Sequence, residues 1–143
     1  MANSTEPDML DRWKLSDAFE TYRVNEWGKG YFGINSLGNV TVMPTKEPEA
    51  SIDLKELIDQ LQARGIQLPI LVRFTDILRH RVSEIHAAFQ KSIEEFDYKG
   101  KYCCVYPIKV NQQRQVVEEI LDFGKPFQFG LEAGSKPELL AVM

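Results

Sequence analysis

The sequence predicts an α/β fold of consecutive βα units with parallel strands, an incomplete (β/α) barrel preceded by a β-hairpin segment. Three observations predict it. From Leu68 onward the residue patterns run strand, helix, strand, helix, strand, helix, the order that gives parallel strands and right-handed crossovers. Tyr102 to Ile108 is apolar or aromatic at almost every position, as in a strand buried on both faces beneath helices. Three such units cannot close a barrel, which needs about eight strands, and the chain stops at Met143 inside an apolar helical pattern with no cap. A fragment or truncated product of a larger barrel is expected.

The elements follow in order. Leu15 to Tyr22 is a short amphipathic stretch beside Ser16 and Asp17, enough for about two helical turns. Tyr31 to Met43 reads as two β-like pieces around Ser36, Leu37, Gly38 and Asn39, where Gly and Asn supply the positive φ of a tight hairpin. Pro44 ends the second piece, and Thr45 to Ala50 is a polar connector. Asp53 caps a helix with Glu56 three residues on, Leu54, Leu57, Ile58 and Leu61 form its face, and Gly65 closes it.

Leu68 to Phe74 is an apolar, β-branched run that reads as a strand, and Thr75 or Asp76 caps the helix after it. The stripe of that helix is Leu78, Val82, Ile85, Phe89, Ile93 and Phe96, spaced three or four residues apart. After the Tyr102 to Ile108 strand, Val116, Val117, Ile120 and Leu121 mark a helix over Gln112 to Phe123 that stops at Gly124. Phe127, Phe129 and Leu131 alternate as a strand, and Ser135 and Glu138 stand at capping-box spacing before Leu139, Leu140 and Val142. The expected division is residues 1–50, carrying the short helix and hairpin, and 51–143, carrying the first βα units.

Composition excludes several classes. The 143 residues are 43% hydrophobic and 27% charged, a globular profile. The net charge of −4 is spread along the chain, so no footprint for nucleic acid or anionic lipid is expected. No apolar run approaches the length of a membrane span. Met1 to Asp11 carries Glu6, Asp8 and Asp11 without an apolar core, unlike a secretory or transit peptide. The adjacent Cys103 and Cys104 would make a strained bridge, which fits a reducing, cytoplasmic setting, and within a buried strand they are expected to act as small hydrophobes.

Lys109 directly follows the buried strand and precedes a helix, in Tyr106-Pro107-Ile108-Lys109-Val110-Asn111-Gln112. In α/β barrels the carboxyl ends of the strands face the active site, where an imine-forming lysine must sit partly desolvated and at fixed orientation. From position alone a solvated loop lysine is the commoner case. Glu132 ends the next strand and is expected to face the same mouth. Asn111 is read as a helix cap before a ligand contact. His80 and His86 are six residues apart, which is not the spacing of two ligands on one helical face.

The segment Val105-Tyr106-Pro107-Ile108-Lys109-Val110-Asn111-Gln112, with Gly130-Leu131-Glu132-Ala133-Gly134-Ser135-Lys136 and Glu138-Leu139, closely resembles the biosynthetic arginine decarboxylases. The resemblance extends upstream through Trp27-Gly28, Asn35-Ser36-Leu37-Gly38, Leu68-Pro69, Ile77-Leu78 and His80-Arg81, and covers the chain from about Val24 to Met143. It implies an alanine-racemase-like barrel that uses pyridoxal 5'-phosphate and converts L-arginine to agmatine and CO2 for polyamine synthesis, with Lys109 at the place of the family's Schiff-base lysine. It also implies a magnesium requirement, for which no ligand set is found, a homo-oligomeric full-length enzyme, and a companion β-domain containing the hairpin. The phosphate-binding glycines, the acidic partner of the pyridine nitrogen and the guanidinium-binding residues would lie further along a full-length enzyme. The competing expectations are a catalytically inactive fragment, alone or associated with a full-length subunit through an exposed barrel edge, and another barrel-type amino-acid decarboxylase or racemase. The Pro-Ile-Lys-Val-Asn-Gln context disfavours the last.

Overall fold

The computed structural model describes residues 13–143; the acidic opening from Met1 to Asp11 lies outside the described residues. These residues fold as a mixed α/β protein in two compact units, the first ending at Val72 and the second running from Arg73 to Met143. The helix after Asp53 packs on the hairpin strand and so belongs to the first unit.

The first unit opens with α1 (Leu15–Thr21), started by Asp17, whose Oδ2 accepts from the Lys14 amide at 2.8 Å. A further helix, α2 (Val24–Gly28), was not expected; the left-handed backbones of Arg23 and Lys29 bound it. Strands β1 (Phe32–Ile34) and β2 (Val40–Val42) form the expected antiparallel hairpin, and β3 (Ile52–Asp53) adds a third strand against β2. In the connector, Pro48–Ala50 takes a 3-10 turn. Helix α3 (Leu54–Ala63) follows β3 directly and is closed at Gly65, whose φ of +85° is open to glycine. Val42 is fully buried, with Val24, Tyr31 and Ala18 also in the core.

One carboxylate ties the hairpin to this helix. Asp53 Oδ1 accepts from the Lys55 and Glu56 amides at 2.8 and 3.1 Å, capping α3, while Oδ2 accepts from Asn35 Nδ2 at 2.7 Å and Asn39 Nδ2 at 2.8 Å. The reciprocal half of the cap is absent, since Glu56 accepts from Gln60 Nε2. Only Gly38 supplies a positive φ in the hairpin turn, at +82°. The asparagines act through their side chains instead: Asn35 Oδ1 also accepts from the Leu37 and Asn39 amides.

The second unit contains α4 (Thr75–Glu95), β4 (Val105–Pro107), α5 (Arg114–Gly124), a 3-10 turn at Lys125–Phe127, β5 (Gly130–Glu132) and α6 (Lys136–Val142). β4 and β5 pair in parallel, with Val105 opposite Gly130 and Pro107 opposite Glu132. α4 packs on α5, and α5 on β5, around buried Val82, Ile108 and Ile120. Burying each of these side chains contributes about 1.5–3 kcal/mol.

The structure departs from the sequence-based expectation at several elements. Leu68 to Phe74 forms no strand, because a β-branched run becomes one only beside a neighbour that offers its backbone groups, and the sheet of the second unit has two strands, β4 and β5. α4 begins at Thr75 behind Phe74 with no side-chain cap, so neither Thr75 nor Asp76 is the N-cap. Its apolar stripe leaves the core toward the carboxyl end, where Phe96 is 78% exposed. The strand expected over Tyr102 to Ile108 shrinks to β4, and Val105 is 49% exposed, so it is not buried on both faces.

Gly124 ends α5 for reasons of space and not of backbone conformation. Its φ is −85°, but a Cβ there would lie 2.2 Å from Phe129 Cβ. Gly124→Ala is expected to cost about 1–3 kcal/mol through overpacking, measured as a drop in the helical circular-dichroism midpoint.

The donors around Asp53, the Asn39 side chain foremost, hold its carboxyl below the ordinary 3.8, with partial burial opposing. A depressed folded pKa stabilises fully above the unfolded value and is lost as pH falls through the folded one. Both tryptophans, Trp13 and Trp27, belong to the first unit. Tryptophan-detected thermal midpoints are therefore expected to fall below about pH 4, and Asp53→Asn to remove that part of the fall.

Candidate functional site

The parallel register of β4 and β5 places their carboxyl ends at one sheet edge. The pairing continues one residue past β4, where the Ile108 amide donates to the Glu132 carbonyl at 3.0 Å. Ile108 is 4% exposed, so the residue before Lys109 is held by both packing and a backbone bond. Lys109 lies in the turn that follows, exposed at the same edge as Glu132. Neither Lys109 Nζ nor the Glu132 carboxylate makes a hydrogen bond or ion pair among the described residues.

The turn is braced on several sides. The Val110 amide donates to the Pro107 carbonyl at 3.1 Å, and Tyr106 Oη donates to the Asn111 carbonyl at 3.4 Å. Asn111 is not the cap of α5: its Oδ1 accepts from the Gln113 amide at 3.0 Å, and Gln113 is the N-cap residue. The Gln113 side chain makes no cap bond and accepts from Arg73 Nη2 at 2.5 Å. Sequence reasoning missed Arg73 and Gln113 as members of this region. The one available signal was that Arg73 stands near the carboxyl end of an apolar run, as Lys109 does.

After β5, Ser135 caps α6 as expected, but the reciprocal half of the capping box is not made to the Ser135 amide and falls one residue earlier, on Gly134. Ser135 Oγ accepts from the Glu138 amide at 3.4 Å, and Glu138 Oε2 accepts from the Gly134 amide at 2.6 Å. A cavity of about 520 Å³ on the α5 and α6 side is lined by Ile108, Gln112, Leu131 and Val142 among others; its lining omits Lys109 and Glu132. A second, of about 430 Å³, lies at the end of α4 between Phe89, Ile93, Phe96 and Tyr102.

The remaining candidates have structural roles. His86 stacks on Phe127 at 4.3 Å between ring centroids, and His80 Nδ1 lies 3.7 Å from Glu84. Cys103 and Cys104 are free thiols. Cys103 is exposed, against the expectation of a buried strand, and its Sγ donates to the Gln128 carbonyl at 3.3 Å. Cys104 hydrogen-bonds Tyr102 and, with burial, pushes its phenol up to about 12. Among the described residues no group of three or more His, Cys, Asp or Glu could hold a metal ion, and no helix is long and apolar enough to cross a membrane.

A parallel βα pair with Lys109 and Glu132 at the carboxyl ends of its strands defines an α/β protein. No protein-family model matches the chain. The biosynthetic arginine decarboxylase of Gloeobacter violaceus is 52% identical over 134 residues, 94% of this chain and 21% of that protein. The one from Rhodopirellula baltica is 51% identical over 132 residues, 92% and 20% respectively. The crystal structure of the biosynthetic arginine decarboxylase SpeA from Campylobacter jejuni superposes with a TM-score of 0.75 at 34% identity, covering 85% of this chain and 20% of that one. The chain is a relative of the biosynthetic arginine decarboxylases and spans about a fifth of the length of those it matches.

Proposed function

We propose that the protein acts in the decarboxylation of L-arginine to agmatine and CO2, for polyamine synthesis, with Lys109 as the covalent anchor of pyridoxal phosphate. The observation that carries this reading is the pair of unpartnered groups at one parallel-strand edge: the Lys109 amine, in a turn anchored by Ile108, and the Glu132 carboxylate. The residues present fit the aldehyde end of the cofactor. Lys109 is exposed among the described residues, so the partial desolvation that an imine-forming amine needs would come from the further barrel elements expected to cover it, while the short braced turn limits where the bond can form.

The chemistry that pyridoxal phosphate supplies when bound is an electron sink for the pair left as the bond from the α-carbon to the carboxylate breaks. Lys109 Nζ would hold the cofactor, and Glu132 would orient the ring or a nearby side chain at the same edge. Cradling a phosphate takes a nest of backbone amides, and recognising the substrate guanidinium takes carboxylates; neither role is given to residues of this chain. Magnesium and self-association also stay implications of the family likeness, with no residues assigned to them.

In this reading 51–143 contributes the first βα units of an alanine-racemase-like barrel, and 1–50 part of its companion β-domain. Exposed Leu71, Val105, Leu139 and Leu140 support it, because they are apolar side chains that further barrel strands and helices would cover. The greater length of the relatives supports it as well. The compartment expected for such an enzyme is the cytoplasm.

The test is incubation of the chain with pyridoxal phosphate, borohydride reduction and peptide mapping. Label concentrated on Lys109 is expected, and Lys109→Ala should abolish it without lowering the thermal midpoint. Label scattered over several lysines would instead favour an inert segment. Little agmatine is expected from this chain by itself, and more when it is supplied within a full-length relative.

A further inference from the structure

We infer that Arg73 and Gln113 form a tether that positions Lys109, an inference that rests on the proposed role of that lysine. The turn from Ile108 to Gln113 has two ends. Its entry is tied to β5 through the Ile108 amide and the Glu132 carbonyl. Its exit is Gln113, where three links meet. The Gln113 amide donates to Asn111 Oδ1, its carbonyl accepts from the Val116 and Val117 amides at 2.9 and 3.1 Å in the first turn of α5, and its side chain accepts from the Arg73 guanidinium.

Arg73 lies two residues before the start of the 21-residue helix α4, so the bond spans 40 positions of sequence and fastens the exit of the turn to the base of the unit's longest helix. A charged donor makes this a stronger bond than one between neutral groups. Both side chains are exposed and water competes for them, so the bond's contribution to global stability is small and its effect is local to the turn. Gln113 has no side-chain capping bond to lose, which separates the tether from the helix start. Arg73 and Gln113 are therefore positioning residues: neither is required to touch the cofactor, and each acts through the turn that carries the amine.

Gln113→Leu and Arg73→Leu remove the bond, whereas Gln113→Glu keeps an acceptor for Arg73. Amide hydrogen exchange over residues 108–113 reads the turn without any cofactor. It is expected to accelerate in both leucine variants and to stay near the unsubstituted rate in Gln113→Glu, with exchange in α4 unchanged. Borohydride-trapped pyridoxal phosphate at Lys109 should fall severalfold in the leucine variants and recover in Gln113→Glu. Unchanged exchange in the turn, or faster exchange with undiminished label at Lys109, overturns the tether. Absence of label at Lys109 in the unsubstituted chain overturns the cofactor reading instead, and the exchange rates then decide by themselves whether the tether exists.

Discussion

The backbone bond from the Ile108 amide to the Glu132 carbonyl is the constraint on which the candidate site depends. It extends the parallel pairing one step past β4, and a parallel register is what sends both chains out of the sheet at the same edge. With antiparallel strands, Lys109 and Glu132 would leave at opposite ends. The buried Ile108 side chain reinforces the bond, because breaking it would expose an apolar residue as well as two backbone groups. A lysine on such a mount has little freedom in its backbone while its amine stays accessible.

The two compact units hold their parts by different means. In the first, short strands with little pairing of their own are gathered by a polar hub, the Asp53 carboxylate, which serves two hairpin asparagines and two helix amides at once. In the second, helices α4 and α5 pack on each other around Val82 and Ile120, while Gly124 lets Phe129 approach the helix end closely enough for β5 to begin. The lysine turn belongs to the second unit. It is held by the buried Ile108 at its entry and by several modest hydrogen bonds along its length.

Much of this was legible in the sequence wherever the signal was local. The hairpin, the Asp53 cap, the Ser135 cap and the bodies of α3, α4 and α5 follow from spacing and capping chemistry within a few residues. Lys109 and Glu132 were placed at strand ends from the same kind of pattern. What was not legible depended on partners distant in sequence. The run from Leu68 to Phe74 has every side chain a strand needs, yet pairing decides whether it becomes one. The two-residue β3 exists only because β2 lies beside it, α2 is bounded by left-handed residues that no composition rule marks, and the Arg73 to Gln113 bond joins positions with no shared motif.

The direction of the β4 to β5 pairing is most directly tested by nuclear Overhauser contacts between backbone protons of the two strands. The account predicts contacts that advance together, from Val105 with Gly130 and its neighbours to Pro107 with Glu132 and its neighbours. Contacts that run in opposite directions along the two strands, or none between them, would contradict it and leave Lys109 and Glu132 without a shared edge.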